Sequence, residues 1–218
     1  MADTLPLPPG AAALATIPPE IHVLPKGSRL LRVWFTESAH PSGFARFRHF
    51  GPTSSRFDHH LPGPGDAPTN GSRGILYAVE EHGAAFTTAL AEVFQGQRMI
   101  DLRYEAPVVS LFGIKRDLAL LDLTAHWTTR AGASAALSSG PRAIARRWSR
   151  DFYEAYPEID GLRYRSSMSG GSDIALALYE RCTDAMPADA LATRRLDHPE
   201  LVGSVADAAK TLGYGIRL

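Results

Sequence analysis

The chain has 218 residues, 44% apolar and 21% charged, enough to bury a core in one domain. Basic and acidic residues number 23 each, so no net positive field argues for nucleic acid, and the base side is almost all arginine, the planar fork that suits phosphate and carboxylate. The single cysteine, Cys182, excludes an internal disulfide and a multi-cysteine zinc site and fits a reducing cytoplasm. No run of about 18 apolar residues suggests a membrane span, and the opening MADTLPLPPGAAALATIPPE is too proline-broken for a signal peptide.

Residues 1–28 read as a partly ordered arm, with a short helix at AAALA. RLLRVWF (29–35) is a strand by its β-branched and aromatic content. Residues 39–55 read as a long connection, and 58–74, with two Pro-Gly pairs and an Asn-Gly, as a turn-rich loop. GILYAVE (74–80) is the next strand, followed by a helix over about 81–95 that stops near Gly96. Pro107 divides strand pieces over 98–112. The run 138–156 is helical, with Pro141 in its first turn and Ile144, Trp148 and Phe152 four residues apart. DGLRYRSS (160–167) is a turn and a strand, 173–181 is open between strand and helix, and the chain closes with a helix and a short last strand. No regular β-α-β alternation and no Gly-x-Gly-x-x-Gly occur, so the pattern favours an α+β domain over a dinucleotide-binding parallel sheet. The domain is assigned to 29–218.

Few side chains stand out. On a helical wheel centred on Phe86, Leu90 and Val93 share the apolar stripe and Glu92 falls at its border, with Thr88 one turn earlier. The plain reading of that position is a solvated acid; the alternative is an acid at the rim of a cleft. Asp58-His59-His60 has no further ligands at metal-binding spacing, His49, His82, His126 and His198 are scattered, and no metal is expected. The serines of YRSSMSGGS do not form a Gly-x-Ser-x-Gly elbow. Arg32 interrupts an apolar strand and needs anionic company if it faces inward. Arg56 precedes Phe57 and the long loop. Tyr77 is either core or a stacking face with a polar tip. The basic cluster ARRWSR (145–150) gives Trp148 to the core and reads as a solvated face, not a nucleic-acid platform.

Taken in order, LRVWF with Arg32, SSRFDHH with Arg56, GILYAVE with Tyr77, TTALAEVF with Glu92 and DGLRYRSS with Ser166 resemble the RES domain family over roughly residues 29–181. The resemblance implies a compact ADP-ribosyltransferase-like core of two small, mainly antiparallel sheets around an NAD-binding cleft. It implies a toxin of a bacterial toxin–antitoxin pair, acting in the cytoplasm, whose antitoxin carries a helix-turn-helix (Xre-like) domain. Activities differ in the family: hydrolysis or phosphorolysis of NAD, or transfer of ADP-ribose to a protein acceptor. A catalytically silent binding protein of the same fold is the reading from another class. Carried over by motif, Glu92 stabilises positive charge on the ribose, Arg32 and Arg56 bind the pyrophosphate, Tyr77 stacks on the nicotinamide or bounds its pocket, and Ser166 binds the ribose or holds Glu92. Ser167 directly follows Ser166, so the site serine is one of the two. The loop after Arg56 is long for the pattern.

Overall fold

The computed structural model describes residues 5–40, 42–168 and 173–218. After a one-turn helix α1 (Ala11–Leu14) come strands β1 (Ile21–Leu24), β2 (Arg29–Phe35), β3 (Arg48–Gly51) and β4 (Thr69–Glu80), then helix α2 (Ala85–Phe94). Strands β5 (Met99–Asp101), β6 (Pro107–Gly113) and β7 (Leu118–Asp122) lead to short helices α3 (Trp127–Arg130) and α4 (Ala136–Ser139) and the longer α5 (Arg142–Ala155). Strands β8 (Gly161–Arg165), β9 (Ile174–Tyr179) and β10 (Ala192–Arg195), helix α6 (Pro199–Leu212) and strand β11 (Gly215–Arg217) complete the chain.

Two sheets form, of very unequal size. Nine strands make one sheet in the order β1-β7-β8-β9-β4-β2-β6-β10, with β3 on β4, while β11 and β5 pair alone. All pairs of the large sheet are antiparallel except β7 with β8, and β11 runs parallel to β5. The expectation of two small sheets is corrected here: β9 and β4 stitch the strands before α2 and those after α5 into one surface.

The layering follows from period-two alternation. In β9, Ala175, Ala177 and Tyr179 join a core with Trp127, Trp148, Phe152 and Tyr156, whereas Ile174, Leu176 and Leu178 join a second core with Leu30, Phe112 and Leu118. A strand buried on both faces reads as a continuous apolar run, which is why its sequence left strand and helix open. A third core, holding Leu90, Phe94, Val205 and Ala208 with Val33 and Val79, packs α2 and α6 onto the sheet. In β4, Ile75 faces the first core and Val79 the third, with Tyr77 between them on the same face.

Several local expectations shift. β3 lies inside the expected connection 39–55, and β4 starts five residues earlier than GILYAVE, so Asn70-Gly71 lies within a strand. Partner strands override turn chemistry there: Gly51 and Phe50 pair with Thr69 and Asn70 across a bulge. Gly140 and Pro141 separate α4 from α5, so the expected helix 138–156 is interrupted. α6 begins with Pro199 in its first turn and ends at Gly213, whose φ of 66° is the left-handed C-cap conformation. The N-terminal segment from Leu5 packs closely: Leu5 and Leu14 are buried, Trp148 Nε1 donates to the Pro6 carbonyl at 2.8 Å, and β1 adds to the sheet through β7.

Candidate active site

The cleft arises where the sheet divides. Along one edge of β4, Arg48 of β3 sits opposite Ile75, while Leu31 and Leu30 of β2 sit opposite Val79 and Glu80. Between these pairings β3 and β2 part, and Tyr77 lies at the gap. A cleft of about 800 Å³ opens there, lined by Arg32, Arg48, Arg56, Tyr77 and Glu92 among others. Alternation puts Leu31 and Val33 against the helical core. Arg32 therefore points the other way, and because β2 has already left β4 its side chain lines the gap.

Glu92 is half-buried on α2. Ser166 Oγ donates to its Oε1 at 2.6 Å, and Ser166 is itself fully buried and receives the Met168 amide at 3.1 Å. The wheel centred on Phe86 needs correcting: Phe86 and Val93 are only partly buried, and Thr88 and Ala91 are buried instead. Contacts from the strand side explain the rotation, since Thr88 Oγ1 donates to Asp173, and the Asp173 carbonyl accepts from the Ser166 amide at 2.9 Å. One acid thus ties α2 to the segment that carries Ser166. Burial pushes the Glu92 carboxyl above the ordinary glutamate range, opposed by the Ser166 hydrogen bond and by Arg56 and Arg142.

Arg56 donates to the Gly140 carbonyl at 2.5 Å, and Arg142, at the start of α5, donates to Gln95 at the end of α2. Burial and the neighbouring Arg142 lower the Arg56 pKa, whereas Tyr164, Glu92 and Tyr77 raise it. Arg32 has a single protein acceptor, the Arg46 carbonyl at 3.3 Å, and no carboxylate partner among the described residues. Burial, then Arg48, brings its pKa down to about 10. Tyr77 Oη is buried without a hydrogen-bond partner among the described residues. The described lining thus contains five arginines, Arg32, Arg46, Arg48, Arg56 and Arg142, against one carboxylate, Glu92. A half-buried arginine with no acid beside it and a buried hydroxyl with no partner, among the described residues, are groups that an anionic, polar ligand completes.

The five residues singled out in the sequence therefore meet: Arg32, Arg56, Tyr77 and Glu92 line one cleft, and Ser166 stands behind Glu92. The two serines divide the work, for Ser167 lines the cleft while Ser166 holds the carboxylate. Sequence reasoning missed Arg48, Arg142 and Tyr164. The first lay in a segment read as a connection, the second in the run read as a helix and the third in the strand GLRYR, and none of them was singled out. No group of three or more His, Cys, Asp or Glu among the described residues is disposed to hold a metal, and no described helix is long and apolar enough to cross a membrane.

Comparison with known proteins bears on the fold and the family. A solved structure described as the M. tuberculosis MbcT-MbcA toxin-antitoxin complex contains a chain that superposes with a TM-score of 0.55 over 94% of this chain and 97% of its own length. Its sequence identity is 11%, so the likeness is one of fold. No curated protein sequence matches the chain. The model of the RES domain matches residues 29–199, and the chain belongs to the RES domain family.

Proposed function

We propose that this protein is the toxin of a bacterial toxin–antitoxin pair and that it breaks the nicotinamide–ribose bond of NAD, which it binds as substrate without a metal. The observation that carries the proposal is Glu92, the one carboxylate of the described cleft lining, held by Ser166 among arginines. Family membership and a shared fold with a chain from a toxin–antitoxin complex support the toxin role and a cognate antitoxin as partner. The family resemblance adds the expectation of a helix-turn-helix domain on that antitoxin.

The chemistry follows from charge. When the glycosidic bond breaks, nicotinamide leaves with the bonding electron pair as a neutral molecule, and positive charge develops on C1′ and the ring oxygen of the ribose. Glu92 meets that charge by accepting a hydrogen bond from the ribose 2′-OH, an interaction that strengthens in the transition state. Ser166 fixes one carboxylate oxygen, so the other is aimed before substrate arrives. Arg32 and Arg56 bind the pyrophosphate through charge-assisted hydrogen bonds. Tyr77 and Tyr164 offer ring faces to the nicotinamide side of the cleft. An acceptor oxygen then bonds to C1′ and loses its proton to solvent.

Water, inorganic phosphate and a protein side chain all require this same cleavage. Incubating purified protein with NAD, with and without phosphate and with cell lysate, separates them by product mass. The expected products are nicotinamide with ADP-ribose, or with ADP-ribose 1″-phosphate when phosphate is present. ADP-ribose found only on a lysate protein would make the chain a mono-ADP-ribosyltransferase, and intact NAD in every arm would leave a silent binding protein.

A further inference from the structure

Asp58-His59-His60, singled out in the sequence as a weak metal motif, is absorbed by neither the family pattern nor the mechanism above. In the structure Asp58 is fully buried and His60 is 2% exposed. Asp58 Oδ2 accepts from Arg48 Nη2 at 2.9 Å, from the Thr53 amide at 2.6 Å and from Thr53 Oγ1 at 2.8 Å. Asp58 Oδ1 pairs with His60 Nδ1, and His60 Nε2 lies 3.1 Å from the Arg48 carbonyl. Arg48 also donates to the Phe50 carbonyl through Nη1. Every described contact of this buried carboxylate therefore serves to lock one arginine and the loop beside it.

That arginine lines the cleft next to Arg32. Asp58 and the Phe50 carbonyl take two of the five N–H groups of its guanidinium. Its other N–H groups have no acceptor among the described residues. Arg32 has no carboxylate partner among the described residues, and Arg48, lining the same cleft, acts on it as a like charge. Like charges are held together in this way at a cost that an anionic ligand between them removes.

We infer that Arg48 is a third arm of the phosphate clamp, gripping the diphosphate of the substrate together with Arg32 and Arg56, and that Asp58 is its positioning residue. The inference rests on the NAD reading for the identity of the substrate but not for the chemistry of the ligand, which is a diphosphate. His60 fills the far side of Asp58 and leaves Asp58 Oδ2 directed at Arg48 and Thr53.

Calorimetry with inorganic pyrophosphate, and separately with ADP-ribose, tests it on the full chain. Arg48→Ala is expected to weaken pyrophosphate about tenfold to hundredfold, as loss of a charged hydrogen-bond donor does, and Arg48→Lys to recover only part of that, because it keeps the charge and loses the fork. Asp58→Asn is expected to weaken binding in the wild-type background and to add less than about twofold in the Arg48→Ala background. In turnover assays the same changes raise KM for NAD and leave kcat within about threefold. Unchanged pyrophosphate affinity in Arg48→Ala overturns the clamp whether or not the Asp58 variant folds, and fully additive losses overturn the positioning role. Pyrophosphate binding that depends on Arg48, in a protein that leaves NAD intact, upholds the clamp and removes the NAD reading instead.

Discussion

Burial acts on Glu92 and His59 in opposite directions. It raises the Glu92 pKa by desolvating the carboxylate, and Ser166, the nearby arginines and Gln95 oppose it. The ionised form is the one that stabilises an oxocarbenium ion, so kcat/KM for NAD should fall on the acid side with an apparent pKa above the ordinary glutamate value of about 4.3. Glu92→Gln keeps the shape and loses the charge. It should hold the NAD dissociation constant within about threefold, lower kcat at least about a hundredfold and abolish the acid limb. His59 lies stacked against Tyr153 at 4.5 Å and beside Tyr179 at 4.4 Å, with neither ring nitrogen hydrogen-bonded among the described residues and Glu180 3.6 Å from Nε2. Burial, partly offset by Glu180, holds its pKa down at about 4, against 6.5 for an exposed histidine. The unfolded chain therefore takes up this proton first. The contribution of His59 to stability is fully present above pH 6.5 and is lost as pH falls toward 4. His59→Phe should flatten urea-unfolding stability across that window, where the wild type loses on the order of a few kcal/mol. A wild-type stability that is level from pH 6.5 to 4 would refute a neutral buried His59.

Elements place these residues, and some of that placement was legible. RLLRVWF, GILYAVE and GLRYR fall in strands and TTALAEVF in a helix, because their patterns are local. The rest is non-local. β3 exists because β4 offers it a partner, and β9 is a strand because sheet neighbours on both sides pair with it. The side of α2 that faces inward depends on Asp173, some eighty positions away in sequence, so a wheel drawn on α2 alone misplaces Phe86 and Thr88. The N-terminal segment makes the same point. Its prolines and alanines suggested partial order, yet Leu14 is buried beside Trp127, Trp148 and Tyr156, and the Tyr156 hydroxyl lies 2.8 Å from the Leu14 carbonyl. Leu14→Ala should cost about 2–5 kcal/mol in urea unfolding, the range for emptying a buried leucine site. A loss under about 0.5 kcal/mol would mean that the segment is not docked in solution.

Across the whole molecule, the site belongs to no single element. Arg32 comes from β2, Arg48 from β3, Arg56 from the segment between β3 and β4, Tyr77 from β4, Glu92 from α2, Arg142 from α5 and the serines from the end of β8. Each was an ordinary residue in its own stretch: a strand arginine, a core tyrosine, a helix-border acid. What made five of them stand out was their order along a family pattern, and what joins them is the parting of β2 and β3 along β4. Arg48 stayed hidden and Asp58 stood out only as part of a weak metal motif, because only the fold brings a buried acid to a cleft arginine. Glu92, the one carboxylate of the described cleft lining, is proposed as the catalytic group of an NAD-cleaving enzyme. Its most direct test is nicotinamide release from NAD by the wild type and by Glu92→Gln at saturating substrate. Turnover by the wild type is expected, with a loss of at least about a hundredfold in kcat for the variant and NAD still bound. Equal kcat in the two proteins, or intact NAD with both, would contradict it.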